Sequence, residues 1–151
     1  MKIDPYNHEH RYKEWKAQVS IKGIPNISKN NSDIILQYLN DMEHGLNVSF
    51  KSVKGGRSYI RLNTLREKLG FFSKRFMEIY NLDCITDITE NQLVLFFSKM
   101  TKGEIARNDG KTYQSIAYFV KIFKTFWHWH QKVNKKKGID IPDITLDLDS
   151  R

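Results

Sequence analysis

Apolar residues recur at steps of three and four along most of this chain, in runs separated by polar loops that carry glycine and proline. That spacing places side chains on one face of an α-helix, whereas a half-buried strand would alternate at every second residue. The longest run follows Ser58, where Leu62, Leu65, Leu69, Phe72, Phe76 and Ile79 form a sustained stripe. Ser58 suits its N-cap, and Arg57, Arg61, Lys68, Lys74 and Arg75 are expected on the opposite face. Gly70 lowers helix propensity within this run and is read as permitting a close helix crossing.

Four other segments obey the same logic. Tyr12, Trp15 and Val19 mark a short first helix, broken by Gly23 and Pro25. With Asn31 or Ser32 as its cap, a second helix gathers Ile34, Ile35, Tyr38, Leu39 and Met42 before stopping at Gly45. After the connector LDCITDIT, Thr89 caps a helix bearing Leu93, Val94, Phe96, Phe97 and Met100 that ends near Gly103, and Asp87 and Glu90 favour its dipole. The last helix runs through YQSIAYFVKIFKTFWHWHQKVNKKKG, with Asp109 or Thr112 as its cap. Ile116, Phe119, Val120, Phe123, Phe126, Trp127 and His130 share one broad face of it, so its aromatics read first as core. With no alternating strand, internal repeat or glycine-rich phosphate loop in the sequence, the expected fold is an all-α bundle of four or five helices.

Composition narrows the class. A chain of 151 residues with 40% hydrophobic content is one domain's worth and large enough to bury a core. Cys84 is the single cysteine, which excludes an intrachain disulfide and a multi-cysteine zinc site and fits a reducing compartment. No apolar run approaches about 18 residues and no secretory signal opens the chain, so a soluble, cytoplasmic protein without a membrane partner is expected. The net charge is +8, and it is uneven: residues 139–151 hold Asp140, Asp143, Asp147 and Asp149 against Arg151, which leaves +11 on residues 1–138. Such a basic body points to a polyanionic partner.

The candidate chemistry is sparse. His8 with His10 and His128 with His130 are each two positions apart; on a helix such residues point about 200° from one another, so His128 and His130 do not jointly clamp one ion, and no HExxH or cysteine cluster supports a metal site elsewhere. Nucleophile elbows, clustered carboxylates and Cys/His pairings are missing from the sequence, and no catalytic residue, metal or cofactor is expected. Cys84 reads as a small buried filler. Most lysines, including Lys132, Lys135, Lys136 and Lys137, read as a solvated face. Basic residues nevertheless cluster at two helix starts, Lys51, Lys54, Arg57 and Arg61 at the third helix and Arg107, Lys111, Lys121 and Lys124 at the last. Helix N-termini present free amides and a positive dipole end to phosphates, and Ser58, Tyr59, Asn63, Thr112, Tyr113, Gln114 and Ser115 stand beside them with hydroxyl and amide groups.

The order of elements carries a resemblance. A long helix RSYIRLNTLREKLGFFSKRF, the connector and helix start LDCITDITENQLVLFF, a polar loop and KTYQSIAYFVKIFKTFWHWH together resemble the N-terminal core-binding, SAM-like domain of tyrosine recombinases, the phage-integrase superfamily. The likeness covers roughly residues 30 to 135, and NSDIILQYLNDME and VNKKKGIDIPDITLDLD give it an archaeal-integrase character. The resemblance implies half of a C-shaped clamp around duplex DNA, opposite a catalytic domain of the same protein, with self-association on DNA also allowed. It implies DNA-facing positions at Arg57, Ser58, Arg61, Lys111, Thr112, Gln114 and Ser115, to which the basic clusters add Lys54, Lys121 and Lys124.

The family's chemistry requires an arginine, a lysine, a His-x-x-Arg, a further His or Trp and a tyrosine nucleophile, all in the catalytic domain. His8 with Arg11 matches the spacing only in the segment before the bundle, and the chain ends at DLDSR, where the catalytic domain is expected to begin. Residues 1–30 are accordingly expected to be an N-terminal extension with a short helix, 31–138 the DNA-binding domain, and 139–151 an acidic linker. DNA binding without catalysis is the leading expectation for function, in DNA integration and recombination. A helical protein-interaction or self-assembly module, using Trp129, Ile122 and Val133 as an apolar patch, is a second reading. An RNA-binding module is a third, separable by its preference for single strands.

Overall fold

A computed structural model describes residues 5–48, 53–105, 107, 110, 113 and 115–149 and is all-α. Its elements are α1 (His8–Lys22), α2 (Lys29–His44), α3 (Tyr59–Tyr80), a 3₁₀ turn at Ile85–Asp87, α4 (Glu90–Thr101) and α5 (Ile116–Lys136), with no strand among the described residues. The all-α expectation therefore holds. The chain divides into two compact units, Met1–Ile85 with α1 to α3 and Thr86–Arg151 with α4 and α5.

In the first unit α3 packs against both α1 and α2. Leu62, Leu65, Leu69, Phe72 and Phe76 are buried as their spacing predicts, but the stripe ends there, because Ile79 in the last turn is exposed. Arg61, Lys68 and Arg75 are half-buried beside the stripe rather than opposite it. They are seven residues apart, and seven residues fall about 20° short of two full turns, so the three form a ridge along the flank of the core. Lys74 alone of this set lies on the open face, while half-buried Arg57 precedes the helix.

α2 starts earlier than its sequence suggests. Ser28 is the N-cap, its hydroxyl accepting from the Asn31 amide at 3.1 Å. The two residues expected to cap it are buried inside the helix and serve other segments: Asn31 Oδ1 accepts from the Ile85 amide at 2.6 Å, and Ser32 Oγ from the Ile24 amide at 3.0 Å. Both residues thus satisfy backbone donors that burial would otherwise leave unpaired.

α1 buries only Tyr12 and Val19, and polar contacts supplement that narrow seam. Lys16 bridges to Glu43 of α2 at 2.8 Å, the Arg66 guanidinium of α3 lies 4.9 Å from the centre of the Trp15 ring, and Asn63 donates to the His8 carbonyl at 3.1 Å. Burial, and next the Glu43 carboxylate, push the Tyr12 hydroxyl above its ordinary pKa and keep the phenol neutral.

The second unit begins with a capping box at Thr89, whose hydroxyl accepts from the Gln92 amide at 3.2 Å while the Gln92 side chain accepts from the Thr89 amide at 3.0 Å. Leu93, Phe96, Phe97 and Met100 of α4, which packs against α5, are buried, whereas Val94 is only half-buried. On α5 the buried set is Phe119, Val120, Ile122, Phe123, Phe126, Trp127 and Trp129, which spans about half the helix circumference at 3.6 residues per turn. Ile116 and His130 fall within the same arc but are only half-buried, Ile116 in the first turn and His130 toward the C-terminal half of the helix. α5 begins at Ile116 with Ser115 as N-cap, later than the expected caps Asp109 and Thr112, both of which lie outside the described residues. The left-handed backbone of Ser115 (φ 56°) interrupts any helical run from further upstream.

Candidate nucleic-acid interface

The start of α3 is set by a crossing of three glycines. Gly45 ends α2 in the left-handed conformation (φ 73°), and an ideal Cβ there would lie 2.6 Å from the Gly55 carbonyl carbon. A Cβ on Gly56 would overlap the Glu43 carbonyl oxygen. The glycine pair 55–56 thus passes across the C-terminal end of α2 at backbone contact, and the Arg57 amide donates to the Met42 carbonyl at 2.8 Å. This crossing fixes where Arg57, Ser58 and Arg61 begin α3.

These residues do come together. Ser58 is exposed, and its hydroxyl accepts from the Arg61 amide at 3.2 Å, so its first role is the cap that its position predicts. Arg57 is half-buried and donates through Nη1 to the Gly55 carbonyl at 2.9 Å, which holds its guanidinium near the loop. Arg61 is half-buried one turn on, and Lys54 is exposed in the preceding loop. Lys51 lies outside the described residues. The helix start accordingly presents two guanidinium groups beside a capped N-terminus, a combination suited to phosphate oxygens.

On the second unit the expected residues are less completely placed. Lys111, Thr112 and Gln114 lie outside the described residues. Ser115 is exposed, and among the described residues its hydroxyl makes no capping hydrogen bond. Lys121 is exposed and Lys124, three positions later, is half-buried. His128, Lys132 and Lys135 continue on the same side of α5 at helical spacing, so Lys121 to Lys135 form one basic stripe about 21 Å long at 1.5 Å per residue. Composition alone assigns Lys132 and Lys135 to a solvated face, and His128 is considered there only to set aside a metal site; the i, i+3, i+4 spacing of all three with Lys121 and Lys124 is the signal in the sequence that joins them.

The histidines of α5 serve separate contacts. His128 Nε2 lies 3.2 Å from Asp143 Oδ2, whereas His130 stacks obliquely on Trp127 with ring centres 5.0 Å apart. Burial, and next the nearby Lys137 charge, hold His130 below its ordinary pKa. Among the described residues no group of three or more His, Cys, Asp or Glu is arranged to hold a metal ion. Cys84 is half-buried rather than fully enclosed.

Beyond α5 the acidic segment turns back along the helix. The Ile139 amide donates to the Asn134 carbonyl at 2.9 Å, Gln131 donates to the Ile141 carbonyl at 2.9 Å, and the Trp127 indole donates to the Pro142 carbonyl at 3.0 Å. Asp143 Oδ1 accepts from the Thr145 hydroxyl at 2.6 Å and from its amide at 2.9 Å. Burial opposes ionisation of Asp143, but these two bonds and the adjacent His128 outweigh it and bring the carboxyl below its ordinary pKa. Ile144, Thr145 and Leu148 are buried.

The apolar patch expected to meet a partner protein is not a surface. Trp129 is 2% exposed and Ile122 is fully buried, with Val133 half-buried. The reason is the width of the buried face of α5, which extends beyond the broad face read from Ile116 to His130 and takes in Ile122 and Trp129 as well. No helix among the described residues is long and apolar enough to cross a membrane. Comparison with protein-family models, with curated proteins and with solved structures finds no match for this chain.

Proposed function

We propose that this chain binds duplex DNA without cutting it, as the core-binding part of a site-specific tyrosine recombinase that acts inside the cell on DNA integration and recombination. The observation that carries the reading is the paired arginine start of α3, Arg57 and Arg61 around the Ser58 cap, on a body whose residues 1–138 hold a net charge of +11. The basic stripe of α5 supports it as a second phosphate-facing element. Affinity in this reading comes mainly from phosphate contacts, and the sequence preference of the chain alone is weak. The double variant Arg57→Ala/Arg61→Ala tests it: affinity for duplex DNA should fall, and the log–log salt slope should flatten by roughly 0.9 for each phosphate that is no longer neutralised. An unchanged slope would remove both arginines from the footprint and with them the main support for the proposal.

A further inference from the structure

The acidic segment occupies a particular side of α5. It touches Trp127 at the edge of the buried face, Gln131 between that face and the basic stripe, and His128 within the stripe, and it leaves α5 at Asn134. Because it runs antiparallel to α5, from Ile139 at Asn134 to Asp143 at His128, the segment heads toward the turn that carries Lys124, one helical turn before His128. It is docked in two ways, by hydrogen bonds with α5 and by burial of Ile144, Thr145 and Leu148. Between residues 139 and 149 it carries four aspartates and no basic residue, and Asp140 and Asp147 are exposed. Opposite charge is thus held along the margin of the surface proposed to meet phosphates, with the Asp143 carboxylate 3.2 Å from His128 of the stripe.

We infer that the segment Ile139–Asp149 is an intrachain competitor of nucleic acid, an acidic strap whose carboxylates lower the affinity of the α5 basic stripe for phosphates. The inference rests on the proposed DNA-binding role. A carboxylate beside a lysine acts in two ways: it reduces the attractive potential, and it repels the incoming phosphate. Asp143 fastens the strap to α5 through His128 and braces it internally through Thr145, while Asp140 and Asp147 face solvent.

The test compares the intact chain with Asp140→Asn/Asp147→Asn in binding to a labelled duplex across a salt series. Thermal midpoints are measured alongside, and they should agree, since both side chains are exposed. The double variant should bind about two- to fivefold more tightly at low salt, and the difference should shrink as salt rises. Asp143→Asn, which weakens the docking itself, should also tighten binding and should speed amide exchange across residues 139–148. Binding by the double variant where the intact chain binds weakly or not at all would support the strap. Equal affinities of the intact chain and both variants would overturn the strap and leave DNA binding standing. No duplex binding by any of the three would overturn both.

Discussion

Adding one methyl group at Gly56 should disturb the start of α3 more than its size suggests. The new Cβ would overlap the carbonyl oxygen of Glu43 and lie 3.3 Å from its carbonyl carbon, so the obstacle is backbone and not the free end of a side chain. Relief requires the 55–57 segment to lift from α2, which stretches the 2.8 Å bond from the Arg57 amide to the Met42 carbonyl. Overpacking in well-packed surroundings costs about 1–3 kcal/mol, and an overlap with immobile backbone belongs at the upper end. At about 2–4 °C per kcal/mol for a chain of this size, Gly56→Ala should lower the thermal midpoint by about 6–12 °C. Gly70→Ala is the control: its Cβ would meet only Ile27 Cδ1 at 3.7 Å, an ordinary contact, so α3 should gain about 1 kcal/mol of helix propensity and about 2–4 °C. Circular dichroism melts of the two variants provide the assay. A wild-type midpoint for Gly56→Ala, or a shift of both variants in the same direction, would refute the glycine crossing as what sets the start of α3.

Two other perturbations probe the second unit. Trp129→Ala should cost about 3–5 kcal/mol, read by urea denaturation, because the indole is buried; a loss below about 1 kcal/mol would return Trp129 to the surface. The folded state holds His130 below its ordinary value near 6.5, so the unfolded chain takes up the proton more readily. The contribution of His130 is therefore complete above that pH and is lost as pH falls from there through the folded value; His130→Gln should flatten the stability-versus-pH curve in that window, and an unchanged slope would contradict the half-buried, neutral imidazole.

The helices are legible in the sequence because each rests on a local signal. Ser58, Thr89 and Gly45 act as the caps and stop that their residue types and positions suggest. The displaced start of α2 has a non-local cause: Asn31 and Ser32 look like caps, but their side chains satisfy amides at Ile85 and Ile24, which spacing within α2 cannot reveal. Gly70 suggests a close crossing, yet the crossing occurs at Gly45, Gly55 and Gly56, where a loop and not a second helix meets α2. The basic start of α3 is legible as a cluster, but not the bond that draws the Arg57 guanidinium back to Gly55. The return of residues 139–143 along α5 is not legible from charge, because four aspartates suggest solvation; Ile139, Ile141, Ile144, Leu146 and Leu148 are the contrary signal, too apolar for a fully solvated stretch of chain.

The measurement closest to the central claim is fluorescence anisotropy of the intact chain with a labelled duplex of about 30 base pairs, roughly three helical turns, and with the matching single strand, across a salt series. Duplex binding should exceed single-strand binding and weaken steeply as salt rises. Equal or stronger binding to the single strand, or no duplex binding at low salt by the intact chain and by Asp140→Asn/Asp147→Asn alike, would contradict the DNA-binding role.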